Sequence, residues 1–293
     1  MKKLIILTVA FTFTFAALSS AERTKEFEKQ FKKQKETYRF SPKVDTMFTV
    51  EGEFPLPTGY QWGRIDKMND YQKYVANLPI WHSSMYAIDW YKEIVFNSDE
   101  LSRVVHITWN GGQYREIAFP VRILSEYLLY KNKKDKFESY PVNGESINYN
   151  KWLKGKPLYN SRMELFFQEE PNKKEDNEKE YFTMVNFALN SLNFKSLITA
   201  SEPVQTKELM PGDFFLATNS KFKDGVMYFV MHYIVGEDGK KKYVVATGCP
   251  KACDFHIPLF NNDKNNPFIT IDQIENLAGK FPNYGFYRFK AVK

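Results

Sequence analysis

Apolar positions along the chain follow two different periods, and the change between them separates a helical first part from a strand-rich last third. Tyr71, Tyr74, Val75 and Leu78 lie three or four apart, on one helical face, and Pro79 sits just past the predicted end. The segment before them, Phe54-Pro55-Leu56-Pro57-Thr58-Gly59-Tyr60, predicts an extended entry, because each proline disfavours helix at the residue before it. Val104 to Trp109 has the look of a buried strand that stops at Asn110-Gly111-Gly112. Val121, Ile123, Leu124, Leu128 and Leu129 then predict a helix from about Phe119 to Lys131. Pro120 fits its first turn, where a missing N–H costs little. Glu169 to Lys179 is a charged, proline-containing surface insertion, and Tyr181 to Leu197 returns to helical spacing.

The last third changes character. Asp213 to Ala217, Val226 to Val235 and Tyr243 to Thr247 are apolar, aromatic or β-branched runs, and Glu237-Asp238-Gly239 between the last two is a hairpin signal. Phe286 to Val292 supplies a further strand. Helices followed by antiparallel strands predict an α+β domain, placed at 46–293. No internal repeat is evident.

Composition narrows the class. The chain has 293 residues, 43% of them hydrophobic, with 26 Phe, 18 Tyr and 5 Trp, enough to bury a large core and too apolar for a disordered protein. The formal charge of +6 is spread over lysines interspersed with acids, which reads as a solvated surface rather than a nucleic-acid stripe. Lys2 and Lys3 precede an uncharged stretch from Leu4 to Leu18, and Ser19-Ser20-Ala21 offers the small residues a signal peptidase accepts. Residues 1–21 therefore read as a signal peptide and 22–45 as a charged flexible leader. The apolar stretch is short of the roughly 20 residues that span a bilayer. The expected product is exported, periplasmic or secreted, with no membrane span after signal removal.

The inventory of reactive side chains is short: four His and two Cys. His82 follows Trp81 in a loop, His106 sits in an apolar strand with a core role expected, and His232 lies on the strand over Val226–Val235. Cys249, Cys253 and His256 form C-P-K-A-C-D-F-H, with Asp254 between. Three readings are open for the cysteines: a local disulfide, free thiols, or part of a metal site. An exported chain with closely spaced thiols and no second ligand arm favours the Cys249–Cys253 disulfide, and neither a metal nor another cofactor is expected.

Met210-Pro211-Gly212-Asp213-Phe214-Phe215-Leu216 followed by a long hairpin strand resembles the NlpC-type papain-like amidases and peptidases of the bacterial cell wall. A wider likeness joins it. Phe54-Pro55-Leu56-Pro57 with Gly59-Tyr60, Asn77-Leu78-Pro79, Glu126-Tyr127-Leu128, Lys151-Trp152 with Gly155, and Ala252, Asp254 and His256-Ile257 are similar to an uncharacterised exported bacterial family, domain of unknown function 4846. The likeness runs from about residue 54 to 289 and implies a papain-like, NlpC-type scaffold with helices packed on an antiparallel sheet. Carried over by position, it implies a nucleophilic Cys where Glu116 stands, a base His where Val226 follows Gly225, and a polar partner at Thr247; of the family's late motif, His256 is kept. No Cys precedes Cys249, and a thiolate mechanism needs both a thiol and a nearby base.

The expected function is accordingly an exported, catalytically degenerate papain-like domain that binds an envelope ligand: cell-wall peptide, glycan or protein. Two alternatives stand beside it. One is an active envelope hydrolase with a non-standard centre around Glu116, Asp254 and His256; the other is a purely structural envelope protein whose cleft is filled. Trp62, Trp81, Trp90, Trp109 and Trp152 are candidates for stacking on a ligand, with most expected in the core.

Overall fold

In the computed structural model the described residues are 49–81, 85–107 and 115–293. The signal peptide and leader, His82, Trp109 and the Asn110–Gly112 stop lie outside them. Helices α1 (Val50–Glu53), α2 (Asp70–Ala76), α3 (Ala118–Tyr130), α4 (Tyr149–Lys154), α5 (Glu178–Asn190), α6 (Phe194–Thr199) and α7 (Ile271–Asn276) surround a six-stranded antiparallel sheet. Its strands are β1 (Tyr60–Trp62), β2 (Ser201–Pro203), β3 (Phe214–Thr218), β4 (Gly225–Gly236), β5 (Lys241–Ala246) and β6 (Asn283–Phe289). The order is β1-β4-β3-β6-β2, with β5 pairing the other edge of β4. This is an α+β architecture. No helix of the described residues is long and apolar enough to cross a membrane.

Local chemistry explains most boundaries. Asn69 and Gln72 form a reciprocal capping box that starts α2. Pro120 falls in the first turn of α3, as its missing N–H requires. The helical spacing over 181–197 is divided in the structure between α5 and α6, because Asn193 accepts the Ser196 N–H at 2.9 Å while the Ser196 hydroxyl accepts the Asn193 N–H at 3.1 Å. That second capping box ends one helix and begins another. The strand expected over 104–109 sits earlier, at Leu101–Val104, paired with His256–Pro258. The His106 N–H donates to the Pro79 carbonyl and the Ile107 N–H to that of Val105, so the chain turns away. The last strand ends at Phe289 and closes in a 3-10 turn over Lys290–Val292.

Two apolar layers sandwich the sheet. Phe214, Leu216, Met227, Phe229 and Met231 join the larger core with α3 and α5. Phe215, Ala217 and Val230 face the other side, toward Ile274 of α7. Between Val230 and His232 the β4–β5 register slips. One unpaired residue at such a bulge reverses the alternation beyond it. Ile234 therefore belongs to the core that Met231 faces, and Tyr233 to the opposite one.

The Pro-Gly-Asp turn at the start of β3 is anchored to the neighbouring strand β6. Gly212 has φ +93°, and a Cβ there would lie 2.5 Å from the Tyr71 ring. Asp213, 1% exposed, accepts two hydrogen bonds of 2.7 Å from Arg288 on β6 and one of 2.9 Å from the Met210 N–H. Arg288→Met leaves that carboxylate buried without its cation. The expected loss, read from urea unfolding, is about 3 kcal/mol, the low end for a broken buried pair because Arg288 retains some solvent contact. Adding Asp213→Asn should recover part of it.

Candidate functional site

Glu116 precedes α3 by two residues. The Ala118 N–H donates to the Arg115 carbonyl, turning the chain into the helix, and the Glu116 N–H donates to the Cys249 carbonyl at 3.3 Å. Gly248 sits against this turn so closely that a Cβ would lie 2.9 Å from the Glu116 Cα and 3.0 Å from the Phe119 ring. The loop after β5 is thus pressed onto the start of α3. One residue earlier, the Thr247 hydroxyl donates to the Met227 carbonyl at 2.6 Å, and Thr247 and His256 exchange two backbone hydrogen bonds of 2.8 Å. At the entry to β4 a Cβ on Gly225 would lie 2.3 Å from the Ala217 carbonyl oxygen, so only glycine fits before Val226.

These contacts gather Glu116, Val226, Thr247 and His256 around one cleft of about 360 Å³. Glu100, Phe96 and Tyr228 also line it. Nothing in the sequence marks these three. Phe96 and Glu100 arrive there through the pairing of Leu101–Val104 with His256–Pro258, a long-range register that no local pattern encodes.

Glu116 is 3% exposed. Burial pushes its carboxyl above the usual carboxylate range, only partly countered by its own backbone N–H and by Arg115; Asp224, at the mouth of β4, pushes the same way as burial. The Arg115 guanidinium stands 4.0 Å from Oε1. Oε2 is buried with no hydrogen-bond partner among the described residues. The His256 Nδ1 lies 2.9 Å from the Asp254 carbonyl, which assigns the proton to Nδ1 and leaves Nε2 the lone pair. Burial lowers the His256 pKa, so the ring is neutral at pH 7. Asp254 is bound elsewhere: its Oδ2 accepts the Ile88 N–H at 3.0 Å, and its own N–H donates to the Ile88 carbonyl. Of the trio Glu116, Asp254 and His256, the first and last share the cleft.

Cys249 and Cys253 are joined by a disulfide. The loop it closes turns at Ala252, whose φ is +61°, and Ala252 accepts the Trp90 N–H at 3.2 Å. Cys249 and Pro250 wall the cleft, while Pro250, Lys251 and Ala252 wall a second recess of about 230 Å³ on the other side, with Arg115 and Leu189. Both sulfurs are occupied, and among the described residues no group of three or more His, Cys, Asp and Glu is placed to hold a metal ion.

The remaining described histidines lie off the cleft. His106, 2% exposed, meets Trp81 edge-on, and burial brings its pKa down to about 4. His232 and Val226 are an even number of residues apart, which on an unbroken strand would put both on one face. The bulge at Val230/His232 breaks that parity. Val226 packs with the α7-side core, whereas the His232 ring lies edge-on to Trp62, which belongs to the other. Its Nδ1 accepts the Tyr233 N–H at 2.9 Å, Nε2 lies 3.9 Å from Glu51, and burial brings its pKa down to about 4. None of the four described tryptophans lines the cleft. Trp152, for one, is 6% exposed, with its indole N–H on Glu180.

The family model for "Domain of unknown function (4846)" matches residues 50–292, and the chain belongs to that family. Comparison with curated proteins and with solved structures returned no match.

Two outcomes follow from this geometry. Because the folded-state pKa of Glu116 is raised, the folded chain binds its proton more tightly than the unfolded one. Stability therefore falls as pH climbs from the ordinary carboxylate value through the raised one. Glu116→Gln should melt higher than wild type at pH 7.5, with the gain shrinking toward pH 4 in thermal scans. Replacing both cysteines with alanine opens a loop of few residues. It should cost about 2 kcal/mol or less, with faster amide exchange concentrated at 249–254 and the β3–β4 core unchanged.

Proposed function

We propose that this member of the family is an exported papain-like domain of NlpC type whose catalytic pair has been replaced, and whose cleft binds a peptide or glycan ligand of the cell envelope. One observation carries the reading: Glu116, Val226 and Thr247, positions 131 residues apart at their widest and named by family likeness to papain-like enzymes, line a single cleft. The order of parts is in keeping with it. A helix whose preceding turn offers the first position is followed by an antiparallel β3-β4-β5 unit offering the second at the start of β4 and the third just past β5. Val226 has no group to accept a proton, and both thiols of the chain are in a disulfide, so thiolate chemistry has no carrier here. An open cleft speaks against the purely structural alternative.

A second reading keeps chemistry. A buried carboxyl and a neutral imidazole share the cleft, the two group types that acid–base hydrolysis uses.

Titration calorimetry of the mature chain with soluble peptidoglycan fragments separates these readings. Saturable binding is expected, weakened at least tenfold by Val226→Trp, which fills the cleft, with fragment masses unchanged after incubation. Binding that is undetectable, or equal in wild type and in a folded Val226→Trp variant, overturns the proposal. Fragment cleavage that survives iodoacetamide and disappears in His256→Ala would establish the hydrolase instead.

A further inference from the structure

We infer that the cleft selects a peptide carrying a free primary amine, and that Glu116 is the group that receives it. The inference rests on the reading of the cleft as a binding site and adds the chemistry of its ligand.

Glu116 Oε2 is the starting point. This oxygen is buried with no donor among the described residues, on a side chain whose residue lines a cleft rather than a packed core. A buried polar oxygen without a donor is costly to keep, and proteins retain such groups where a partner arrives from outside. The neighbouring groups decide what that partner is. Glu100 adds a second carboxylate to the lining, and no Lys or Arg is among the described lining residues. Arg115 stands at 4.0 Å from the other oxygen, Oε1, and lines the recess behind the disulfide loop instead. Asp224 at the mouth of β4 adds to the negative potential felt by Glu116. The Thr247 hydroxyl, the obvious polar donor in the cleft, is already committed to the Met227 carbonyl.

Among the described lining residues an anionic ligand would thus meet two carboxylates and no Lys or Arg. A neutral glycan hydroxyl can donate to Oε2 but leaves the charge uncompensated. A primary ammonium supplies both a donor and a charge, and charge-assisted hydrogen bonds are the stronger kind. Phe96 and Tyr228 offer apolar flanks for the methylene stem that carries such an amine on a diamino residue. A metal ion is the poorer occupant, since two carboxylates from separate segments do not make a coordination shell, and no metal-holding group is found among the described residues.

The test uses the mature chain and one probe in two forms: the stem tripeptide L-Ala-γ-D-Glu-L-Lys, with free amines and with both amines acetylated. The free peptide is expected to bind about tenfold or more tightly than the acetylated one, the range for a charge-assisted hydrogen bond. In Glu116→Gln that preference should collapse, with the acetylated form binding as it does to wild type. Comparing the two probes on wild type needs no variant, so the inference remains falsifiable if Glu116→Gln does not fold. Equal affinities for the two forms overturn the amine assignment and leave the cleft reading standing. A preference that persists in folded Glu116→Gln moves the recognition away from Glu116 and overturns its role. Binding of neither form, while larger peptidoglycan fragments bind, overturns the amine assignment alone; binding of no fragment overturns both.

Discussion

Strand β4 hydrogen-bonds to β3 and β1 along one edge and to β5 along the other, and the pairing demands of its twelve residues determine where the remaining elements lie. Every backbone N–H and C=O buried in such a strand needs a partner, so its neighbours are fixed in register as well as in direction. The first residues of β4 pair only with β3 and leave their other edge facing the cleft. The bulge at Val230/His232 then lets the same strand serve both apolar layers, changing which side chains face the helices without interrupting the sheet. A strand without that irregularity would have placed Ile234 and Tyr233 in each other's environments.

The cleft depends in turn on close backbone packing. Gly248 has no room for a side chain against Glu116 and Phe119, and Gly225 has none against β3. These two glycines bring the loop after β5, the turn before α3 and the start of β4 near enough to enclose a space, while Thr247 ties its wall to the Met227 carbonyl. The chemistry left in that space is unusual for a folded interior: a carboxyl without a hydrogen-bond donor on one oxygen and an imidazole whose protonated nitrogen is turned to a backbone carbonyl. Burial makes the charged form of each less favourable, so the pair sits closer to neutrality than the same groups in water.

How legible this was depended on the range of the interactions. Helices α2 and α3 and strands β3, β4 and β5 are written in local periodicity, because each has a face that must be apolar whatever lies opposite. The division of α5 from α6 was also local, but it was carried by polar residues: Asn193 and Ser196 outweigh an apolar spacing that continues through them. The bulge was not legible, since the sequence of β4 is apolar on both faces and its parity cannot be read when both sides are buried. Glu100 and Phe96 reach the cleft only through a strand pairing more than 150 residues long in sequence. Glu116, Val226 and Thr247 were found by family likeness; nothing in their own neighbourhoods distinguishes them from other surface-adjacent positions.

The disulfide loop from Cys249 to Cys253 is a partition one chain thick, with an acid-lined hollow on one side and a hollow bearing Arg115 and Lys251 on the other. Space gained on either side by a shift of Pro250 is space taken from its neighbour. The two hollows therefore share a wall. Were each side to hold an occupant, any effect of one on the other would be felt equally in reverse. The crosslink between Cys249 and Cys253 limits how far that shared wall can swing.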